Sequence, residues 1–195
     1  MSHPASDPIA AFREAFARAE EREDHDPTAM TLATIDENGR PSARMVLLKG
    51  VDERGFSFYT NLESRKGRAL AKNPYAALCM HWPKAAEQIR VEGRVELVST
   101  EEADAYFASR VRGSQIGAWA SEQSRPLESR EELEARVAEL TTRFEGGPVP
   151  RPPHWSGYRV VPDRIEFWFG KDSRLHDRFA YVREGEGWRC ERLQP

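Results

Sequence analysis

The sequence predicts a mainly β fold, a small antiparallel barrel with several decorating helices. Three observations predict it. Short runs rich in β-branched and aromatic residues recur along the chain, bounded by turn residues. The turns between the first three runs are too tight for parallel crossovers, so those runs form an antiparallel meander. Stretches of helical periodicity, with their own capping residues, stand between the later runs.

Asp7-Pro8 opens a helix over Ile9 to Arg22, with Ile9, Phe12 and Phe16 at helical spacing. After Asp26-Pro27, Ala29 to Ile35 reads as a strand and Asp36 to Gly39 as its turn. Arg44 to Lys49 is the second strand, Asp52 to Gly55 a turn, and Phe56 to Thr60 the third strand. A helix from Leu62 to Lys72 stops at Asn73-Pro74, and strands follow at Ala76 to Trp82 and Gln88 to Val98. Ser99 with Glu102 is a capping box for a helix through Arg110. Ser129 with Glu132 is another, and its helix carries Leu133, Val137, Leu140 and Phe144 on one face until Gly146-Gly147-Pro148 ends it. Pro148 to Pro153 reads as an extended loop too short to separate domains. Strands return at Tyr158 to Val161, Arg164 to Phe169, Phe179 to Val182 and Trp188 to Leu193. The 195 residues therefore read as one domain, with 1–25 an N-terminal helical segment and 26–195 the barrel and its helices.

Composition narrows the class. Hydrophobic residues make up 39% and charged residues 31%, as in an ordinary soluble protein. A formal net charge of -3 argues against nucleic acid or an anionic membrane as the main partner. No apolar run is long enough to span a bilayer, and Met1 to Pro8 lacks the features of a signal peptide, so a cytoplasmic location is expected. Cys79 and Cys190 stand apart in strand-like runs and read as buried free thiols. The five histidines form no HxxxH pair, and no metal site is expected.

Within the second strand, Met45, Val46, Leu47 and Leu48 are apolar on both faces, whereas a strand with a wet outer face alternates. Either a second subunit or one of the chain's own helices must cover the outer face. The strand alone does not choose between them.

Three segments carry candidate chemistry. In Tyr59 to Lys66, Thr60 and Glu63 have capping-box spacing, which places Arg65 and Lys66 in the first turn of a helix, where the dipole disfavours cations. An anion such as phosphate reverses that penalty; a solvated basic turn is the alternative. Tyr106 and Arg110, at i and i+4, share a helix face with Ser114 just beyond, a donor set suited to a second phosphate or simply a surface stack. Arg174 to Arg178 sets two arginines around His176 between strands, able to clamp an anionic aromatic ligand, with a charged turn as the alternative. Trp168 is either an aromatic wall for that ligand or core. There is no Gly-rich dinucleotide fingerprint and no GxSxG elbow.

Read in order, Asp26 to Met30, Arg44 to Lys49, Phe58 to Asn61, Ser64 to Lys66, Gln88, Ser109-Arg110, Ser114 to Trp119, Gln123-Ser124, Ile165 to Trp168 and Arg174 to Arg178 resemble the pyridoxine (pyridoxamine) 5′-phosphate oxidase family. The resemblance covers nearly the whole chain from Asp7. It implies an FMN-binding split β-barrel that forms a homodimer with FMN in clefts between the subunits. It assigns FMN contacts to Arg44, Met45, Val46, Leu47, Leu48, Lys49, Tyr59, Thr60, Arg65, Lys66, Gln88, Gln123, Ser124, Trp168 and Arg178. It assigns the substrate phosphate to Lys49, Tyr106, Arg110 and Ser114, and the substrate ring to Arg174, Leu175 and His176, with Arg174 and His176 as the catalytic pair.

The implied reaction oxidises pyridoxine 5′-phosphate or pyridoxamine 5′-phosphate to pyridoxal 5′-phosphate by hydride transfer to the flavin, which O2 reoxidises with release of hydrogen peroxide. The competing readings are an oxidase of the same fold on another substrate, of phenazine-pathway type, and a non-catalytic flavin- or haem-binding protein. The phosphate set with Arg174 and His176 favours the vitamin B6 reaction. Three positions depart from the family pattern. Only six residues precede Asp7, where a basic, Tyr-containing arm is common; Phe169 replaces a usual Gln; and Glu122 stands where Lys is frequent.

Overall fold

A computed structural model of the protein describes residues 6–195. The expectations about a leader and an N-terminal arm, and His3, fall on residues 1–5 and lie outside the described residues.

The first helix, α1 (Pro8–Arg22), starts as the sequence predicts, with the Asp7 carboxylate accepting from the amides of Ile9 and Ala10 at 3.0 and 3.3 Å. It buries Ile9, Phe12, Ala15 and Ala19 against the sheet. The meander follows as β1 (Ala29–Ile35), β2 (Pro41–Leu47), β3 (Gly50–Asp52) and β4 (Gly55–Asn61). Next come α2 (Arg65–Lys72), β5 (Tyr75–Trp82), β6 (Glu87–Leu97), α3 (Thr100–Ser109), α4 (Arg112–Ala120) and α5 (Arg130–Arg143). The chain ends in β7 (Trp155–Phe169), a 3-10 turn (Asp172–Arg174), β8 (Asp177–Glu184) and β9 (Gly187–Leu193). No helix among the described residues is long and apolar enough to cross a membrane.

All strand pairs are antiparallel, in the order β2-β1-β5-β6-β7-β4-β3, with β8 and β9 branching from β7. Strand β7 organises the split. One edge runs along β6, while the other pairs with β4 through Trp155–Val160 and with β8 through Arg164–Phe169. The sequence reads β7 as two strands because Pro162 interrupts it. The strand instead runs through the proline, with a register shift at Glu92/Gly93 opposite, where a side chain on Gly93 would collide with the Val161 carbonyl. The core lies on the inner face of the curled sheet, around Leu32, Leu78, Met80, Ile89, Val91, Ile165 and Phe167, closed by α1 through Phe12.

Four local features differ from, or add to, what the sequence pattern shows. Helix α2 is capped by Ser64, which accepts from the Gly67 amide at 3.2 Å, and not by a Thr60–Glu63 box. Helix α4 is absent from the sequence reading because Val111 at its N-cap supplies no side-chain bond and Gly113 and Gly117 lie within it. Helix α5 buries none of its residues; Leu140 and Phe144 pack near Trp119, while Val137 is exposed. Cys79 and Cys190 are free but half-buried.

Candidate functional site

A cleft of about 630 Å³ opens where β2, β4, α3, α4 and the start of β7 meet. Met45, Val46, Leu47 and Lys49 line one side, Tyr59, Thr60 and Lys66 the floor, and Tyr106, Arg110, Ser114, Gln123 and Trp155 the other side.

The Lys66 corner is built from neutral acceptors. Its ammonium donates to Thr60 Oγ1 at 3.1 Å, Ser64 Oγ at 3.3 Å and Gln123 Oε1 at 2.8 Å. Arg44 donates to the Leu32 carbonyl, Thr34 Oγ1 and Ser42 Oγ at 2.8–3.0 Å. No carboxylate among the described residues pairs with Arg44, Arg65 or Lys66. Burial, and then the Arg44 charge, push the Lys66 ammonium down to about 8. Burial and the Arg65 charge likewise lower Arg44. Arg44 on β2 thus repels both Arg65 and Lys66 in the first turn of α2, an arrangement whose charge a phosphate would offset. Arg65 lines a separate depression beside the Asp36–Asn38 turn, outside the cleft lining.

The opposite wall is aromatic. Tyr59 stacks on Tyr106 with ring centres 3.9 Å apart and on Trp155 at 5.4 Å. Gly157 faces Tyr59 across the β4–β7 pair, and a Cβ there would lie 2.6 Å from the tyrosine ring, so only glycine leaves room for the stack. Arg110, at the C-cap of α3, lies 4.9 Å over Trp155 and 5.6 Å from Phe107, and its Nη1 is buried without a hydrogen-bond partner. Burial pushes its pKa down. Gln115 of α4 donates to the Phe107 and Ala108 carbonyls at 3.0 and 3.2 Å, tying α4, and with it Ser114, to the end of α3.

The remaining candidates form a second group. Gln88, Trp168 and Arg178 are direct cross-strand neighbours on β6, β7 and β8. His176 packs on Trp168 at 4.5 Å and accepts from the Lys171 amide through Nδ1 at 3.2 Å. Ser173 and Arg174 both adopt positive φ, 55° and 61°, and Arg174 and Leu175 are exposed. Such backbone strain at non-glycine residues clusters at functional turns. Ser124, next to Gln123, also has positive φ, 73°. Leu48 points into the core.

None of Gln88, Trp168, Arg174, Leu175, His176 or Arg178 lines the cleft of the same chain. The pleat nonetheless relates the two groups. Met45, Thr31, Cys79, Arg90 and Glu166 form one cross-strand row, and His81, Gln88, Trp168 and Arg178 form the next, two residues along each shared strand. Residues two apart share a face, so Met45 and the Trp168–Arg178 pair lie on the same outer side of the sheet. Met45 and Leu47 are 61% and 41% exposed there, and no helix among the described residues covers them.

A model of the family described as pyridoxamine 5′-phosphate oxidase matches residues 17–144. The chain belongs to the pyridoxamine 5′-phosphate oxidase family. A second family model, the pyridoxine 5′-phosphate oxidase C-terminal dimerisation region, matches residues 155–195, which indicates a homodimer. The pyridoxine/pyridoxamine 5′-phosphate oxidase of Myxococcus xanthus (strain DK1622) is 64% identical over 97% of this chain and 92% of its own length. That of Rubrobacter xylanophilus is 61% identical over 97% and 87%. Among solved structures, PhzG from Burkholderia lata 383, in complex with tetrahydrophenazine-1-carboxylic acid, superimposes with a TM-score of 0.92 at 36% identity, covering 98% of this chain and 94% of that one. An FMN-binding protein of Nostoc punctiforme shares the fold, with a TM-score of 0.76 at 20% identity and 95% coverage of both chains.

Against this family background, two departures acquire a setting. Phe169 is buried and packs on Phe179, while Glu122 is exposed and pairs with Arg125 at 3.3 Å. Trp155 is not legible as a cleft residue in the sequence, because an aromatic residue after a proline-rich loop carries no local signal that separates cleft wall from core. Glu23, Asp24 and His25 also bring ligand-type atoms within 4.8 Å, but Glu23 accepts from the Ala85 amide and Asp24 pairs with Lys84.

Proposed function

We propose that the protein is a cytoplasmic, FMN-dependent homodimeric oxidase that converts pyridoxine 5′-phosphate and pyridoxamine 5′-phosphate to pyridoxal 5′-phosphate, with O2 consumed and hydrogen peroxide released. The observation that carries this reading is one cleft lined by both Lys66 and Arg110, neither of them paired with a carboxylate, with Arg44 outside the lining but close enough for its charge to act on Lys66. Two phosphate-bearing molecules side by side have the charge that such a cleft lacks.

The donor set fits FMN. Arg44, Arg65 and Lys66 would hold its phosphate, with Thr60, Gln123 and Ser124 around them. Gln88, Trp168 and Arg178 would complete the contacts across the subunit boundary. When bound, FMN supplies a two-electron acceptor that O2 can reoxidise. Arg110, Tyr106, Ser114 and Lys49 would bind the substrate phosphate, and Tyr106 would extend the aromatic wall beside it. Arg174 and His176, on the strained turn of the partner, would orient the pyridine ring; orientation contributes several kcal/mol to such a barrier. No residue in the cleft stands out as a general base.

Purified protein tests the reading directly. Heat-released cofactor should migrate as FMN, and peroxide should form far faster with pyridoxine 5′-phosphate than with pyridoxine. A well-folded sample that retains no flavin and yields no peroxide would contradict it.

A further inference from the structure

Arg110 is held in an unusual way for a half-buried cation. Its guanidinium makes no ion pair among the described residues, and it lies over the faces of Trp155 and Phe107. A carboxylate would fix the side chain equally well, but it would occupy the fork of donors and cancel the charge. An aromatic face attracts the cation and leaves every N–H free. The Trp155 ring is itself immobilised, packed with Phe107, Ile116 and Val149 and stacked on Tyr59. At the start of β7 its backbone pairs with Asn61, so its position is set by the sheet rather than by a loop.

We infer that Trp155 is a positioning residue for phosphate recognition, whose ring face holds the Arg110 guanidinium in the cleft with its hydrogen-bond donors unspent. Trp155 acts through Arg110, so its contribution belongs to the phosphorylated substrate and vanishes when Arg110 is gone. This rests on the proposed assignment of Arg110 to the substrate phosphate, and the experiment separates the two.

The flavin-loaded enzyme is assayed with pyridoxine 5′-phosphate and with free pyridoxine, as wild type, Trp155→Met, Trp155→Phe, Arg110→Ala and the Trp155→Met/Arg110→Ala double variant. Methionine refills much of the apolar volume without a π face. Trp155→Met should lower the phosphorylated-to-free ratio of kcat/KM about tenfold, mainly through KM, and Trp155→Phe about two- to threefold. In the Arg110→Ala background, Trp155→Met should change that ratio by less than about twofold. Equal losses on both substrates, or a loss that persists fully without Arg110, would mean that Trp155 only supports the Phe107 cluster, and the inference falls. If Trp155→Met does not fold, Trp155→Phe decides alone. An unchanged ratio overturns the inference, and a drop absent from the Trp155→Phe/Arg110→Ala protein supports it. If Arg110→Ala shifts the ratio and the Trp155 variants do not, only this inference falls; if Arg110→Ala leaves it unchanged, the phosphate assignment falls and takes the inference with it.

Discussion

Lys66 and Gln123 lie 57 positions apart in the sequence, yet the Lys66 ammonium donates to Gln123 Oε1 at 2.8 Å. The contact closes the cleft floor, joining the start of α2 to the segment between α4 and α5. It also leaves a half-buried cation with only neutral partners, its pKa depressed to about 8.

The depressed pKa has a definite consequence for cofactor binding. A bound phosphate favours the charged ammonium, so flavin binding takes up a proton once the pH exceeds about 8. FMN affinity of the apoprotein should therefore weaken above that pH, approaching tenfold per pH unit at most. Lys66→Met should bind FMN more weakly at pH 7 and flatten the dependence. Fluorescence quenching titrations from pH 7 to 9.5 measure both, and an equally steep slope in the variant would remove Lys66 from the site.

The outer face of β2 makes a second prediction. Met45→Glu places a charge on the exposed apolar side of β2, the strand proposed to lie in the dimer interface. Wild type should sediment at about twice the 22.2 kDa chain mass at low micromolar concentration, and the variant near the single chain mass, with its flavin lost. A stable dimer of Met45→Glu with normal flavin content would place the interface elsewhere.

Most of the fold was legible because its signals are local. Asp7-Pro8, Ser99 with Glu102, and the alternation in β1 and β5 are written in adjacent residues, and the structure follows them. The losses have physical causes of their own. Helix α4 lacks a capping side chain, and its stability comes from long-range ties such as Gln115 to α3 and Trp119 Nε1 to the Pro150 carbonyl at 2.7 Å. Pro162 interrupts the sequence pattern but not β7, because the register shift opposite Glu92/Gly93 accommodates it. In the site, the cations at the start of α2 were visible as charges against a dipole. The free state of Arg110 was not, since a sequence does not reveal which guanidinium lacks a carboxylate.

Glu166 anchors the second group of candidate residues through Arg178. It is 2% exposed and accepts from Arg178 Nε and Nη2 at 2.9 and 2.7 Å and from Arg164 at 3.0 Å. Burial raises its pKa, but the hydrogen bonds from Arg178 and Arg164 outweigh that and hold it below the usual range. With a depressed folded pKa, its stabilisation is complete above the ordinary carboxylate range and is lost as pH falls through the lowered value. Glu166→Gln strands the arginines and should cost roughly 3 kcal/mol near pH 7. That corresponds to a melting temperature about 6–12 °C lower, with a shallower decline toward acid pH than wild type. Thermal scans from pH 3 to 7 check both, and an unchanged melting temperature would mean that the cluster contributes no net stability.

Arg110 and Arg174 sit in the two separate groups of candidate residues, and their removal should have separate signatures. Arg110, desolvated and unpaired among the described residues, is free to spend its donors on a phosphate dianion. Losing one charge-assisted partner of that kind costs about 2–4 kcal/mol, so Arg110→Ala should lose roughly 30- to 1000-fold in kcat/KM with pyridoxine 5′-phosphate. The loss should fall mainly on KM, because the phosphate is held equally in the ground and transition states. Free pyridoxine should lose far less, and FMN content should stay near wild type. The Arg174 side chain makes no ion pair or hydrogen bond among the described residues, and the residue sits at φ 61° on the β7–β8 turn, a conformation maintained against its own strain. A residue kept there to orient a ring should affect turnover, so Arg174→Ala should lower kcat as well as raise KM, with both substrates affected. Steady-state kinetics on the two variants with the two substrates give four comparisons. Matching patterns for Arg110→Ala and Arg174→Ala would show that the two groups do not divide phosphate binding from ring placement.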